Sequence, residues 1–263
     1  EEQQTFTKFS EIKDPSKHPQ VGEMVDEIRL LKDFDYIFMR KDPPVNVDYM
    51  NALHILSQAE FEGANILNRP SALMKFNEKI FALQFSDWMP DTSVICKEDD
   101  FKLFKKKYSD IILKPLNGMG GDSIYKFDKT SEDHLKIFKE LTNNYKTMVM
   151  VQNFLPEIYD GDYRILIING EPFPIGLARI PQKGSFKGNL AAGGRGEARE
   201  LSADQIQASK EIGKILIQEG ILFAGIDMIG SSLTEINITS PTGAREILTQ
   251  TGQNPIKALL QSI

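Results

Sequence analysis

The apolar residues of this chain come in short runs closed by turn signals, and that pattern bounds what it can fold into. Phe34–Met39, Ile111–Leu113 and Met148–Phe154 have the length of strands and alternate with helical stretches. No run approaches the roughly 20 apolar residues a membrane span needs. Spread over 263 residues, the pattern fits one large mixed domain or two modest ones. Apolar residues at 41% and charged residues at 26% exclude a disordered or collagen-like chain. Lys+Arg 31 against Asp+Glu 37 leaves no general basic footprint for nucleic acid. Cys96 is the only cysteine, so the chain can build neither an internal disulfide nor a Cys-rich zinc site, and a reducing, cytoplasmic setting fits. The chain opens on Glu1 with no signal-like apolar segment behind it, so its start reads as trimmed or processed.

Residues 1–30 are polar and read as a loop leading into a partial helix. The run 34–39, a helix over 48–62 ended by Gly63, and Ile66-Leu67 form a β-α-β unit with parallel strands. A helix from Pro70 to about Phe85 follows. Residues 87–152 then read as a compact α+β module: strands at 94–95, 111–115 and 148–154, helices at 98–108 and 131–144. Strands alternate through 163–181, with Asn169-Gly170 as a hairpin turn. A Gly- and Arg-rich loop spans about 182–199. Ser202-x-x-Gln205 signals a capping box for a helix to 219, ended by Gly220. Strands at 222–229 and 233–239 and one short helix close the chain.

Nucleophilic catalysis finds little support. His18, His54 and His134 stand in unrelated contexts, and Cys96 reads as a structural thiol. Phosphate chemistry has three candidates. In Leu113-Lys114-Pro115-Leu116-Asn117-Gly118-Met119-Gly120-Gly121 a lysine leaves a strand just before a turn that can offer bare N–H groups to phosphate, although a plain glycine hairpin has the same look. Glu235 and Asn237, two apart on a strand, share a face. A three-residue hairpin loop at 230–232 would set Asp227 opposite Glu235, giving two carboxylates and an amide suited to Mg²⁺ with nucleotide phosphates; the alternative is a solvated sheet face. The third is the 182–199 loop. Five of the 19 glycines lie between 184 and 196, with four cations between 179 and 195, so it reads as a cationic lid or as a surface excursion.

Taken in order, these residues resemble the ATP-grasp superfamily and, within it, the bacterial-type glutathione synthetases. The carriers are Met39–Pro44, Asn77-Glu78-Lys79, Ser109–Gly121, Gly188–Gly196 and Leu233–Thr242. The resemblance implies an α/β and α+β chain: a truncated pre-ATP-grasp substrate-binding domain at 1–70, then an ATP-grasp domain at 71–263. The latter would have a movable lobe at about 87–152 and a catalytic lobe at about 153–263, the two clamping ATP. It implies that Lys79, Lys114, Gly118, Gly120, Gly121 and Asn189 hold the nucleotide, that Gln152, Asn153 and Phe154 read adenine, and that Asp162 meets the ribose. Asp227, Glu235 and Asn237 would ligate the metal, two Mg²⁺ ions with Mn²⁺ as a substitute. Arg164, Arg179, Asn237 and Arg195 would serve the chemistry, and Arg40, Asp42, Ser240, Thr242 and Arg245 the acceptor side. The implied reaction joins γ-glutamylcysteine and glycine through an acyl phosphate in a cytoplasmic homo-oligomer, tetrameric by family analogy. Another carboxylate–amine ligase, or a nucleotide-binding regulator without turnover, would share the fold. Gly243 stands where the family often has cysteine, and Lys187 where it often has arginine.

Overall fold

Short strands and helices alternate to give four sheets among the described residues of a computed structural model, namely 4–11, 23–41, 44–118, 123–128, 130–131 and 133–263. The chain divides into two units, 1–75 and 76–263. In the first, β1 (Phe6–Glu11) and β2 (Glu23–Leu30) pair antiparallel. This corrects the expected loop and partial helix. The ladder's hydrogen bonds are made by backbone, so a polar sequence can form strands without an apolar signature. β3 (Ile37–Phe38), α1 (Val47–Phe61) and β4 (Ile66–Leu67) make the expected β-α-β unit with β3 and β4 parallel. Asn46 caps α1 by accepting from Tyr49 N–H at 2.9 Å, and Gly63, at φ +100°, turns the chain out of it. α2 (Pro70–Lys75) completes the unit.

The expected helix from 70 to 85 is broken. Asn77 has extended backbone, and its side chain accepts the N–H groups of Lys79 and Ile80, which starts a new helix, α3 (Glu78–Ala82). A 3₁₀ segment, Leu83–Trp88, follows. Next come β5 (Thr92–Ile95), α4 (Glu98–Lys107), β6 (Ile111–Pro115), β7 (Tyr125–Phe127), α5 (His134–Leu141) and β8 (Val149–Asn153). They form an antiparallel sheet in the order β5-β8-β6-β7. Ile111, Leu113, Val149 and Val151 pack on one of its faces with Phe101 of α4 and Phe138 of α5, whose rings stack at 4.4 Å. By the two-residue period Ile112, Lys114, Met150 and Gln152 point the other way.

The larger sheet holds β9 (Asp162–Ile168), β10 (Glu171–Pro172), β11 (Ile175–Ile180), β12 (Arg195–Glu200), β13 (Phe223–Ile229) and β14 (Ser232–Asn237), in the order β12-β11-β9-β13-β14 with β10 beside β9. Central β9 is buried on both faces from Arg164 to Ile168. Residues 195–199, expected in a loop, pair with β11 as β12; their Gly and Arg content hid a strand whose charges stay at the surface. α6 (Ala203–Gln218) begins with the complete capping box of Ser202 and Gln205. Two helices close the chain rather than one, α7 (Ala244–Thr251) and α8 (Pro255–Gln261), because Gly252, at φ +74°, ends the first and Asn254-Pro255 starts the second.

The Asn169-Gly170 turn has positive φ at both residues, 47° and 81°, as a two-residue hairpin requires. Gly213 of α6 lies against it so closely that a Cβ there would stand 1.9 Å from the Gly170 carbonyl oxygen. Gly213→Ala must therefore push α6 off the turn. The expected loss is about 1–3 kcal/mol in urea unfolding, and an unchanged midpoint would show that the helix shifts freely.

Candidate active site: a charged cleft between two sheets

An open cleft lies in the 76–263 unit, lined by residues of both its sheets. The smaller sheet contributes a cross-strand row. Ile112 on β6 pairs with Gln152 on β8, which pairs with Thr92 on β5. Lys114, one two-residue step along β6, shares their face and is only 6% exposed. Its Nζ lies 3.4 Å from the Thr234 carbonyl oxygen. Burial brings its pKa down to about 8, with Glu235 opposing and Lys79 adding to the effect.

The larger sheet contributes a buried lattice of alternating charge. Arg164 on β9 stands opposite Asp227 on β13, and Asp227 opposite Glu235 on β14; Arg179 on β11 stands opposite Asp162 on β9. Arg164 donates to both carboxylate oxygens of Asp227, at 2.5 and 3.0 Å. Arg179 Nη2 reaches Asp227 at 2.9 Å and Asp162 at 2.5 Å. Burial alone would raise the Asp227 pKa, but the two guanidinium groups reverse it and hold the carboxyl far below its usual range. Asp162 moves upward, chiefly by burial and despite Arg179. Gly225 makes room for Arg164, since a Cβ there would meet the arginine's Cδ at 2.7 Å.

The pairing of Asp227 with Glu235 was expected from a three-residue loop at 230–232. The pair forms by a different route. Ile229 pairs with Ser232 across a two-residue turn, and a bulge at Thr234 restores the alignment.

Sequence reasoning assigned only the lysine of Asn77-Glu78-Lys79, yet all three residues hold the site together. Asn77 Nδ2 donates to Leu116 O and to Asn117 Oδ1 at 3.3 and 3.1 Å. Lys79 Nζ donates to Gly118 O at 2.5 Å and to Glu235 at 2.9 Å. Glu78 Oε1 accepts from Ile238 N, Thr239 N and Thr239 Oγ1 at 2.7–3.0 Å. Burial, with Glu235 nearby, pushes the Glu78 carboxyl upward against those donors. Its partners are backbone groups 160 residues away, for which sequence carries no signal.

Of the expected site residues, Lys79, Lys114, Gly118, Gln152, Asn153, Phe154, Asp162, Asn189, Asp227 and Glu235 line the cleft together. Phe186, Lys187 and Gly188 of the loop join them, and Gly188 packs so tightly that a Cβ would lie 2.4 Å from Arg179 O. Arg164 and Arg179 lie behind the lining, held by the aspartates. Arg195 is on β12, exposed and paired with Glu197 at 2.6 Å. Ser240 is half-buried, and Thr242 and Arg245 are exposed; Thr242 lies within 3.5 Å of Arg164 Nη1. Arg40 is an exposed residue of the 1–75 unit. Asp42, Gly120 and Gly121 fall outside the described residues.

Among the described residues no three His, Cys, Asp or Glu side chains converge to hold a metal unaided. Two facing carboxylates with an amide suit a hard cation that takes its remaining ligands from phosphate and water. Two buried polar atoms of the larger sheet have no hydrogen-bond partner among the described residues, Asp162 Oδ1 and Asn237 Nδ2, and Asp162 lines the cleft. An unsatisfied polar atom at a cleft fits a site whose bonding is completed by a polar ligand.

Fold and cleft together place the chain in the ATP-grasp class. The ligase PsnB, solved with a phosphomimetic variant of its minimal precursor, Mg and ADP, shares the fold with a TM-score of 0.61 at 17% identity, over 82% of this chain and 66% of that one. The N-terminal domain of prokaryotic glutathione synthetase matches residues 2–74, and its ATP-grasp domain matches residues 78–252. Glutathione synthetase of Escherichia coli (strain K12) is 49% identical over 218 residues, 82% of this chain and 69% of the relative. That of Vibrio cholerae serotype O1 is 45% identical over 242 residues, 92% of this chain and 76% of the relative. The chain belongs to the prokaryotic glutathione synthetase family and is an ATP-dependent ligase that forms glutathione. Ligases of this fold use ATP with divalent metal ions.

The buried Lys114 ammonium sets a pH dependence. Below pH 8 the folded, ligand-free protein carries a cost that the unfolded chain escapes, and the cost is relieved as pH rises from about 8 towards 10.5. That interval corresponds to about 3 kcal/mol. In EDTA, Lys114→Met is expected to be more stable than the parent at pH 7, by up to that amount, with the advantage shrinking between pH 8 and 10.5. The same variant should bind ADP at least about tenfold more weakly, since it lacks the point charge. Unchanged ADP affinity in calorimetry would remove Lys114 from the phosphate end of the cleft.

Proposed function

We propose that the cleft binds ATP with its phosphates towards Lys79 and Lys114 and its base against Gln152, Asn153 and Phe154, and that it activates γ-glutamylcysteine for attack by glycine. The supporting observation is the charge inventory of the cleft: Lys79, Lys114, Arg164 and Arg179 with Asp162, Asp227 and Glu235, and no Ser, Cys or His among the described residues that line it. Such a site neutralises and positions. The dipeptide carboxylate attacks the γ-phosphorus, the bond to the β-phosphate oxygen breaks, and ADP leaves an acyl phosphate. The glycine amine then attacks the acyl carbon, loses a proton and expels phosphate.

Asp227, Glu235 and Asn237 are assigned to divalent ions, two Mg²⁺ that Mn²⁺ can replace. When bound, such ions neutralise the phosphates and align the γ-phosphoryl group for transfer. Asp162, with its unpartnered oxygen, is assigned to the ribose hydroxyls. Arg164 and Arg179 are held ready by aspartates that a cation can relieve of them, freeing guanidinium donors for the transferring phosphoryl group. Lys187 and Asn189, with Arg195 further along, belong to a cover that keeps water from the acyl phosphate. Gly118, Gly120 and Gly121 are assigned to the phosphates. Ser240, Thr242 and Arg245, with Arg40 and Asp42, are assigned to the dipeptide and glycine. Residues 1–70 are read as the substrate-binding domain, and about 87–152 and 153–263 as the movable and catalytic lobes of the ATP-grasp domain. The reading extends to a cytoplasmic homo-oligomer, tetrameric by family analogy; a single cysteine suits a reducing compartment. Among the described residues no helix is long and apolar enough to cross a membrane.

ADP release measured with γ-glutamylcysteine, with and without glycine, tests the reaction: steady release should require both. Glu235→Gln should lower turnover by at least about 100-fold with the circular dichroism spectrum unchanged. Near-normal turnover of that variant at millimolar Mg²⁺ would overturn the metal assignment.

A further inference from the structure

Gln152 can face the cleft in two ways, amide nitrogen inward or carbonyl oxygen inward, and the two read opposite chemical groups. A chain of hydrogen bonds decides between them. The Pro90 carbonyl can only accept, and it takes the Thr92 hydroxyl proton at 2.7 Å. With its proton committed, Thr92 Oγ1 can only accept, and it takes Gln152 Nε2 at 2.9 Å. Gln152 Oε1 is then left over. It has no hydrogen bond among the described residues, yet it is not among the buried unpartnered atoms, so it is open to the cleft that Gln152 lines. Turning the amide over would set two oxygens against each other at Thr92.

What meets that oxygen follows from polarity along the cleft. Lys79, Lys114, Asp227 and Glu235 form its charged part, while Ile112, Ile124, Phe154 and Leu155 offer apolar surface to a flat ring. Gln152 pairs with Ile112, one two-residue step, about 7 Å, along β6 from Lys114. We propose that Thr92 is a positioning residue that makes this site select 6-amino over 6-oxo purines, by locking Gln152 with its acceptor towards the base. The inference rests on the nucleotide reading above. An exocyclic amine donates to Oε1, whereas the oxo group of hypoxanthine or guanine meets it lone pair to lone pair. Thr92 touches no nucleotide in this account and acts only through Gln152.

Calorimetric affinities for ADP and IDP, which differ at the 6-position and N1, test it without turnover. The parent should prefer ADP at least tenfold. Thr92→Ser keeps the hydroxyl and should keep that ratio within about threefold. Thr92→Val keeps the shape, frees the amide to turn and should lower the ratio about tenfold, mostly through tighter IDP binding. Gln152→Ala separates the two ways to fail. If Gln152→Ala changes the ratio while Thr92→Val does not, the relay is wrong and the base site stands. If Gln152→Ala changes neither affinity nor ratio, the base lies elsewhere and the inference falls with the reading beneath it. A parent without preference, or a serine variant as unselective as the valine one, would also overturn it.

Discussion

Everything at the cleft depends on Asp227 being buried between two arginines. A carboxylate at 4% exposure is untenable alone, and so is either guanidinium behind it. Bidentate Arg164 on one side and Arg179 on the other make the burial possible, and the sheet register enforces it, because Arg164 and Glu235 stand opposite Asp227 on the two neighbouring strands. Arg164 and Arg179 are already paired with Asp227 and Asp162, so a ligand that uses these guanidinium groups must exchange partners with the aspartates. On the proposed reading, cations take the carboxylates while phosphate takes the arginines and lysines. Every charge that was paired before binding is paired after it, which lets a site of such density stay folded in both states.

Lys114 is the exception to that pairing. It stands on the cleft face of a strand whose other face is solid core, and its only hydrogen-bond acceptor among the described residues is a carbonyl oxygen at 3.4 Å. Burial without a carboxylate in contact holds its pKa near 8, so the ligand-free fold carries a strained cation. On the proposed reading, stability is given up there for a charge already desolvated where a phosphate arrives.

Some of this was legible in the sequence because several local rules agreed. The capping box at Ser202, the Asn169-Gly170 turn and the parallel β-α-β unit each rest on near neighbours. The Asp227–Glu235 pairing survived a mistaken turn because a two-residue turn plus one bulged residue preserves the count of a three-residue loop. Where polar sequence forms strands, as at 6–11, 23–30 and 195–200, periodicity gave nothing to read, since those elements are held by backbone pairing. The break at Asn77 was hidden because asparagine caps a helix only when its extended backbone is known. Glu78 and Thr92 could not have been found at all. Their roles lie in which backbone atom each side chain reaches, and neither spacing nor composition encodes that.

Glu78 shares a logic with its two neighbours. Asn77, Glu78 and Lys79 grip, respectively, the turn after β6, the chain leaving β14, and both the Gly118 carbonyl and Glu235. Three consecutive side chains thus span from the glycine turn on the smaller sheet to the last strand of the larger one. A shift of α3 would be felt at the turn and at Glu235 together, because the helix is too short to absorb it by bending. The cleft is therefore set by one rigid turn of helix touching both walls, and the groups that line it on the two sheets cannot be repositioned independently.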